Sequence, residues 1–488
     1  MASGQGFLRM FFAPMIAGKF DFVVGNPPWI RWGYLSQEYR EATLEMWKQY
    51  GLFSLKGHAA RLGGGEKDFS MLFTYAAADY YLKKDAKLGF LITQEVFKSK
   101  GAGEGFRRFQ LNDHEPLKVT KAHDLVSVQP FEGAANKTAA IILKKGTKTT
   151  YPVPYTLWTR KKGVGKIPTD LSLEEALPLL QKKKLLAQPI GSDLGSWQTI
   201  AESEKELTSI EGENTYKAHE GGYIVPYGVF WLEIKQVLAD GTLIIRNLAQ
   251  SGKWQIQQVE DRVEADLIFP AVRGADIERW HAEPGVYVLV TQDPKLRYGY
   301  PEKIMRDKLP RTYGYLLRFR QELLNRAMYK KYHADSSHPF YSQYNIAEYS
   351  FSPYRVIWKH MANDMFAAVI SQYKTVFGYK SVVSTHTTSL IATNSEVEAH
   401  YLCAVINSKP VRKFIKSYSS AGRGFGSPSV MNHVGIPKFD PKNKIHEELS
   451  QLSQTLHDLK AKNDLDEVAR LEKEVDSLVN TLFGIRNT

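Results

Sequence analysis

Phe20-Asp21-Phe22-Val23-Val24-Gly25-Asn26-Pro27-Pro28-Trp29-Ile30 is the stretch that leaves this chain least freedom. Phe22 to Gly25 reads as a short buried strand. The two prolines that follow fix φ and lack amide donors, so the ladder ends there and the carbonyls of the turn stay available as acceptors. Asn26 adds a side-chain carbonyl, Pro27 a backbone carbonyl and Trp29 a flat apolar face. Two acceptors beside a flat face suit a planar ring that bears an exocyclic NH2. Bonding both amino hydrogens draws the nitrogen lone pair out of conjugation, while Trp29 stacks on the ring. An aminated nucleobase is such a ring, and one inside a duplex reaches a turn like this only when flipped out. For the bare tripeptide an ordinary loop is the alternative; the strand before it argues against that reading.

With 488 residues, 43% of them hydrophobic, the chain has material for two or three domains. No apolar run approaches a membrane span, and Met1-Ala2-Ser3-Gly4 does not open a charged n-region followed by an apolar core, so the expectation is a cytoplasmic protein with no membrane partner. Cys403 is the single cysteine, which excludes an internal disulfide; it sits in an apolar run as a small core residue, and no paired Cys or His spacing suggests a metal. The formal net charge of +12 points to a polyanionic partner if it is clustered. It is: between Lys295 and Lys331 eleven Lys or Arg face three acids. There Arg297, Arg311, Arg318 and Arg320 interleave with Tyr298, Tyr313, Tyr315 and Phe319. Double-stranded DNA is the expected partner, through phosphates and guanine edges; a solvated helix face with its aromatics on the core is the alternative.

Residues 1 to 150 read as alternating helix and strand. Helices are expected over 36–50 and, behind an Asp68 cap, over 69–84, with a buried strand at 88–93. The Gly-rich segment from Lys98 to Phe109 leads into a further helix; it lacks a G-x-G-x-x-G spacing, and its Lys98, Lys100, Arg107 and Arg108 are candidates for backbone phosphates. Two strands, 119–128 and 138–144, follow. Residues 151 to 190 carry Pro and Gly punctuation and read as a linker holding one short helix, 171–184. From 191 to 440 the texture turns to short aromatic strands, and Lys413 and Arg423 beside a Ser/Gly-rich loop form a second basic candidate. Residues 441–488 are helical, with a leucine spacing that changes phase at Lys462-Asn463-Asp464, giving one amphipathic helix or two in a hairpin.

The segment Phe20–Trp29 resembles the catalytic motif of adenine-specific DNA N6-methyltransferases, particularly the large methylases of type IIG restriction-modification and BREX-type phage-exclusion systems. The phrase Phe269-Pro270-Ala271-Val272-Arg273-Gly274 and the blocks 339–359 and 398–408 are similar to that family's target-recognition signatures, as is the ending 475–485 to its usual C-terminus. The resemblance implies an α/β fold: a partial, Rossmann-like methyltransferase sheet in 1–150, closed by an antiparallel pair, then an α+β target-recognition domain and a C-terminal helical segment. It implies Asn26, Pro27, Pro28 and Trp29 as catalytic residues and Phe131, in the loop between the closing strands, as a base-stacking aromatic; a core residue beside a bulge is the alternative for Phe131. It also implies S-adenosylmethionine as methyl donor. The family's cofactor motif lies upstream of its catalytic turn, yet only 25 residues precede Asn26. The expectation is therefore the C-terminal portion of a methylase, truncated or completed by a second polypeptide that carries the cofactor half. A non-catalytic DNA-recognition subunit is the competing reading. A nuclease is a weaker one, since no P-D followed by E-x-K stands out.

Overall fold

The computed structural model describes residues 18–53, 67–99, 103–131, 136–333, 338–419 and 424–486, and divides the chain into two compact units, 1–206 and 207–488. Lys100 and Arg423 lie outside the described residues, as do 61–66 of the loop before Asp68.

The first unit is built on one seven-stranded sheet: β1 (Phe20–Gly25), β2 (Leu82–Thr93), β3 (Leu117–Asp124), β4 (Thr138–Lys145), β5 (Val153–Arg160), β6 (Leu180–Pro189) and β7 (Trp197–Ile200), in the order β1-β2-β4-β3-β5-β6-β7. β1 pairs parallel with β2; β4 runs antiparallel to both β2 and β3, so β3 and β4 form the expected antiparallel pair. Between β1 and β2 stand helices α1 (Gln37–Gln49) and α2 (Phe69–Tyr81), whose N-caps Ser36 and Asp68 accept from the backbone amides of Tyr39 and Ser70.

Five expectations change here. The β1 strand is an edge and not a buried strand: Phe22 is 72% and Val24 83% exposed. Helix α2 stops at Tyr81, not at 84, and β2 begins at once. A buried lysine explains the stop, since Lys145 Nζ lies 3.1 Å from the carbonyl oxygens of both Ala78 and Asp79, carbonyls a longer helix would need for itself. After the Gly-rich segment there is no full helix, only one turn at Phe106–Arg108. The predicted linker, 151–190, is two strands of the same sheet: β5 runs parallel to β3, and β6 pairs back along all of β5 from Ala187 opposite Val153 to Leu180 opposite Arg160. The expected helix over 171–184 shrinks to Leu173–Ala176, capped by a Ser172–Glu175 box, because this pairing takes the residues from 180 onward. The first unit thus runs past 150, with Trp197 of β7 fully buried and stacked on Phe97 at 4.4 Å.

In the second unit a six-stranded sheet has the order Glu260–Val263, Leu243–Asn247, Trp231–Val237, Val286–Leu289, Ile268–Val272, Val383–Ser384. A four-stranded sheet is centred on Tyr354–Lys359 and Thr388–Thr393 and packs against the helix Glu396–Asn407. That helix also packs on Lys444–Ala461, the first arm of a hairpin whose second arm is Leu465–Leu482; Asn463 takes φ +59° at the break, where the leucine phase changes. The helical segment is therefore part of the second unit's core. Cys403 is fully buried in Glu396–Asn407, its thiol pushed up by burial.

Two measurements check this architecture. Trp197→Ala should cost the full chain about 3–5 kcal/mol in denaturant unfolding; a linker residue would cost under about 0.5 kcal/mol. In the second unit His400 and His457 lie 4.9 Å apart, and burial holds their pKa values down to about 3 and about 4. The unfolded chain, with His near 6.5, binds more protons, so stability should fall as pH drops from about 6.5 toward 4. Replacing His457 by Gln should flatten that slope in pH-dependent melting curves.

Candidate active site

The register fixes which ends of the strands meet. Gly25 of β1 lies opposite Phe90 of β2, Thr93 of β2 opposite Thr138 of β4, and Asp124 of β3 opposite Ala139. The C-terminal ends of β1, β2 and β3 and the start of β4 therefore share one edge of the sheet, where loops follow β1 and β3. Asn26-Pro27-Pro28-Trp29 leaves β1 at this edge. Asn26 is exposed at the strand end, with no hydrogen-bond partner for its amide among the described residues, while Pro27 is buried beneath it. Trp29 is tied down: its Nε1 donates to the Leu91 carbonyl of β2 at 3.3 Å. The Phe131 ring, from the loop after β3, meets Trp29 edge to face, with centroids 5.3 Å apart at 78°. The loops after β1 and β3 thus bring Trp29 and Phe131 together, two residues that stand 102 positions apart in the sequence.

Two backbone contacts hold the outgoing chain. Phe69 donates from its amide to the Ile30 carbonyl at 2.8 Å, and Trp32 to the Lys67 carbonyl at 2.7 Å. Both partners are unusual. Lys67 is buried, its ammonium over the Phe53 ring at 5.6 Å, and burial lowers its pKa to about 8; burial raises the Asp68 carboxyl to about 6 against the opposing bonds from Ser70. On the far side of the edge, Asp124 accepts from the Tyr155 hydroxyl at 2.7 Å, the Gln94 amide at 3.3 Å and the Val126 amide at 3.0 Å, linking β2, β3 and β5 behind Phe131. Sequence reading missed this network, in which Asp124 meets Gln94 30 positions before it and Tyr155 31 positions after it.

The Gly-rich segment has a different use from the one its cations suggested. Arg107 is buried: its Nη1 donates to the Val96 carbonyl at 2.7 Å and its Nε to the Leu194 carbonyl at 2.9 Å, while burial lowers its pKa to about 10. Lys98 Nζ lies 2.9 Å from both the Trp197 carbonyl and Thr199 Oγ1, and burial lowers its pKa to about 7. Neither is a phosphate contact; both satisfy carbonyls inside the unit. Arg108 is half-buried. The glycines themselves abut protein: a Cβ on Gly103 would stand 2.4 Å from the Val96 carbonyl oxygen, and one on Gly105 2.6 Å from that of Gly51. This segment does not fit a cradle for S-adenosylmethionine.

In the second unit the basic stretch is four short helices, Glu302–Lys308, Pro310–Arg318, Arg320–Leu324 and Ala327–Tyr332. Its aromatics Tyr313, Tyr315, Phe319 and Tyr329 are buried in the core. Arg311, Arg318 and Arg320 are exposed; Arg318 pairs with Asp261 at 2.9 Å, and Arg320 lies over the Phe340 ring at 4.6 Å. Arg297 is exposed with φ +62°, and Lys413 is exposed on the helix Lys409–Tyr418. Arg273 is held by Asp276 at 2.7 Å and sits 5.8 Å from the Trp231 ring. Arg326, in the same stretch, is buried against the Phe340 carbonyl at 2.6 Å and the Leu323 carbonyl at 2.9 Å and serves the fold.

Residues 4–128 match a family model described as Eco57I restriction-modification methylase. No curated protein matches the chain. Among solved structures, the type IIL restriction-modification enzyme MmeI in complex with DNA has a similar fold, with a TM-score of 0.55 at 12% identity over 96% of this chain and 55% of that one. A nuclease-deletion mutant of the type ISP enzyme LlaGI with a DNA substrate mimic aligns at TM-score 0.41 and 12% identity over 89% of this chain and 35% of that one. A DrdV–DNA complex aligns at 0.35 and 12% over 94% and 46%. This chain spans about half the length of MmeI. The Asn26-Pro27-Pro28-Trp29 turn thus lies within the segment that matches the Eco57I restriction-modification methylase model, and Phe131 lies just past its end.

Proposed function

We propose that the chain is the base-holding and DNA-reading part of a DNA methyltransferase that modifies adenine at N6. The observation that carries this reading is the turn itself: an exposed, unpartnered Asn26 amide beside Pro27, with Trp29 locked to Leu91 and flanked by Phe131. A flipped base seated there has Asn26 Oδ1 and the Pro27 carbonyl as acceptors for its two amino hydrogens and the Trp29 ring, braced edge to face by Phe131, to stack against. Accepting both hydrogens draws the nitrogen lone pair out of conjugation and holds the amine in one orientation, which is a positioning role. Adenine N6 and cytosine N4 present the same amine; Asn at the first position of the resembling motif favours adenine. MmeI is described in complex with DNA, and the exposed Arg297, Arg311, Arg318, Arg320 and Lys413 of the second unit are the matching candidates for reading it here. The methylase family implies S-adenosylmethionine as the donor.

The exposed apolar edge of β1, with Phe22 and Val24 in solvent, supports a cofactor-holding half that packs there, on a second polypeptide or on a longer form of this chain. The second reading, a recognition subunit without transfer activity, draws on the close-packed glycines of the 98–109 segment. Calorimetry with S-adenosylmethionine separates the two. Binding that needs the chain and the product of the adjacent reading frame together supports the split enzyme, and no binding in either case supports the recognition subunit.

The central test is transfer of a radiolabelled methyl group to mixed-sequence genomic DNA. Asn26→Ala should lower incorporation by about 100-fold or more, the scale of losing one preorganised hydrogen bond to a reacting group. Trp29→Ala should weaken it by about 10-fold or more through lost stacking. Incorporation unaffected by Asn26→Ala would overturn the role given to the turn.

A further inference from the structure

The strands that replace the expected linker carry their own chemistry. β5 runs parallel to β3 with Leu157 opposite Asp124, and it continues to Arg160, about 10 Å further at roughly 3.3 Å per residue. β6 starts opposite Arg160, so the tip of this hairpin projects from the same sheet edge as Asn26 and Phe131. Because cross-strand partners point to one face, Trp158 shares its face with Lys182, Thr156 with Lys184 and with His123. Arg160 follows two residues after Trp158 and joins them. Lys182 and Lys184 are exposed, as is Lys121 on β3, and the ring of Trp158 lies over that of His123 with centroids 6.2 Å apart at 28°. Trp158 Nε1 donates to His123 Nδ1 at 3.0 Å, which fixes that nitrogen as the acceptor; burial and the neighbouring Lys121 lower the pKa of the imidazole. At the tip, Arg160 and Lys161 line a cleft of about 370 Å³ with Ser127, Gln129 and Thr159.

None of Lys121, Arg160, Lys161, Lys162, Lys182 and Lys184 forms an ion pair among the described residues. Lys183, on the opposite face, pairs with Glu204 at 3.5 Å. The acids of the connection, Asp170, Glu174 and Glu175, lie between the strands in sequence, and Glu175 is engaged by Ser172. Like charges on neighbouring strand positions repel one another and destabilise the sheet. A polyanion laid along the face relieves that repulsion.

We propose that the β5–β6 hairpin is a phosphate-binding arm of the first unit, gripping the backbone of the DNA duplex at the same sheet edge as the flipped base, four strands along from Asn26, through Arg160, Lys161, Lys182 and Lys184. The proposal rests on the methylase reading for its ligand and adds a site to it. Phosphate contacts carry no sequence information, but they fix register and orientation on the duplex, which is what a turn holding one base requires. A competing role exists: β7 pairs with β6 only from Leu186 onward, and lysines on the free edge before it discourage edge-to-edge pairing. That role needs no DNA and leaves affinity unmoved.

The test is fluorescence anisotropy of the full chain on a 30-base-pair DNA duplex of arbitrary sequence, across a salt series. The Arg160→Ala/Lys182→Ala/Lys184→Ala variant, at surface positions, should weaken binding about 10-fold or more on any sequence and lower the slope of log K against log salt by about 2–3. Affinity and slope matching the parent, or a parent that binds no duplex at all, overturn the arm, as does hairpin-dependent binding that is tighter to an RNA duplex of the same sequence. Methyl incorporation is measured in parallel. Parent-like affinity in a system that still methylates removes the arm and keeps the methylase reading, whereas a lowered salt slope in a system that never methylates keeps the arm and removes that reading.

Discussion

The hydrogen bond from Trp29 Nε1 to the Leu91 carbonyl is the small constraint on which the site's geometry turns. Two prolines end the ladder of β1, so nothing in the backbone pattern of that strand says where the chain goes next. The indole does: it reaches to β2 and returns the turn to the sheet edge, where Phe131 meets it. Asn26 then projects from a fixed platform with its amide unspent. The same edge is tightened from behind by Asp124, which gathers donors from three segments, and from the side by the Phe69–Ile30 and Trp32–Lys67 backbone bonds. A rigid acceptor pair next to a rigid aromatic pair is the arrangement that positioning chemistry needs.

The opposite side of β1 is unlike any other part of the first unit. Its strand is apolar yet exposed, and an apolar edge is ordinarily blunted by charge, proline or a bulge. Here Asp21 and Lys83 pair with one another at 2.9 Å and Lys87 stands opposite Phe22, yet Phe22 and Val24 stay largely exposed. An edge kept open in this way has the chemistry of an interface, and a sheet that continues across it accounts for both the hydrophobic sequence of β1 and its exposure.

How much of this was legible in the sequence follows from the range of the interactions involved. Local signals read well: the strand before Asn26, the helix from about 36, the cap at Asp68, the two strands β3 and β4, and the phase change at 462–464 that became a helix break. What failed depended on distant partners. β1 looked buried because its composition is apolar, but burial is decided by neighbouring strands. The helix expected over 171–184 lost to pairing with β5, a contact no local propensity encodes. The linker reading of 151–190 failed for the same reason: Pro and Gly marked turns within a sheet and not a boundary between domains. Phe131 could be placed only through the family resemblance, since its partner Trp29 is a hundred positions away.

The cations teach the same lesson in charge. Net charge treated every Lys and Arg alike, yet they divide by what they touch. Arg107, Lys98, Lys145, Arg326 and Arg355 turn inward onto backbone carbonyls, and burial lowers the pKa of Arg107, Arg326 and Arg355 to about 10. These groups bind the fold together and have no charge to offer a partner. Others, such as Arg273, Arg318 and Arg412, are matched by Asp276, Asp261 and Asp364. Subtracting both classes leaves a smaller set of unmatched cations, and in the first unit that set includes a run on the β5–β6 hairpin, which leaves the same sheet edge as Asn26 four strands away. Counterion release depends on charges that are exposed and unpaired, so the relevant quantity is this residue-by-residue remainder and not the total of +12. A stretch that composition marked as a spacer becomes, by that measure, the most DNA-like complement on the first unit, while the stretch that composition marked as a phosphate loop is part of its core.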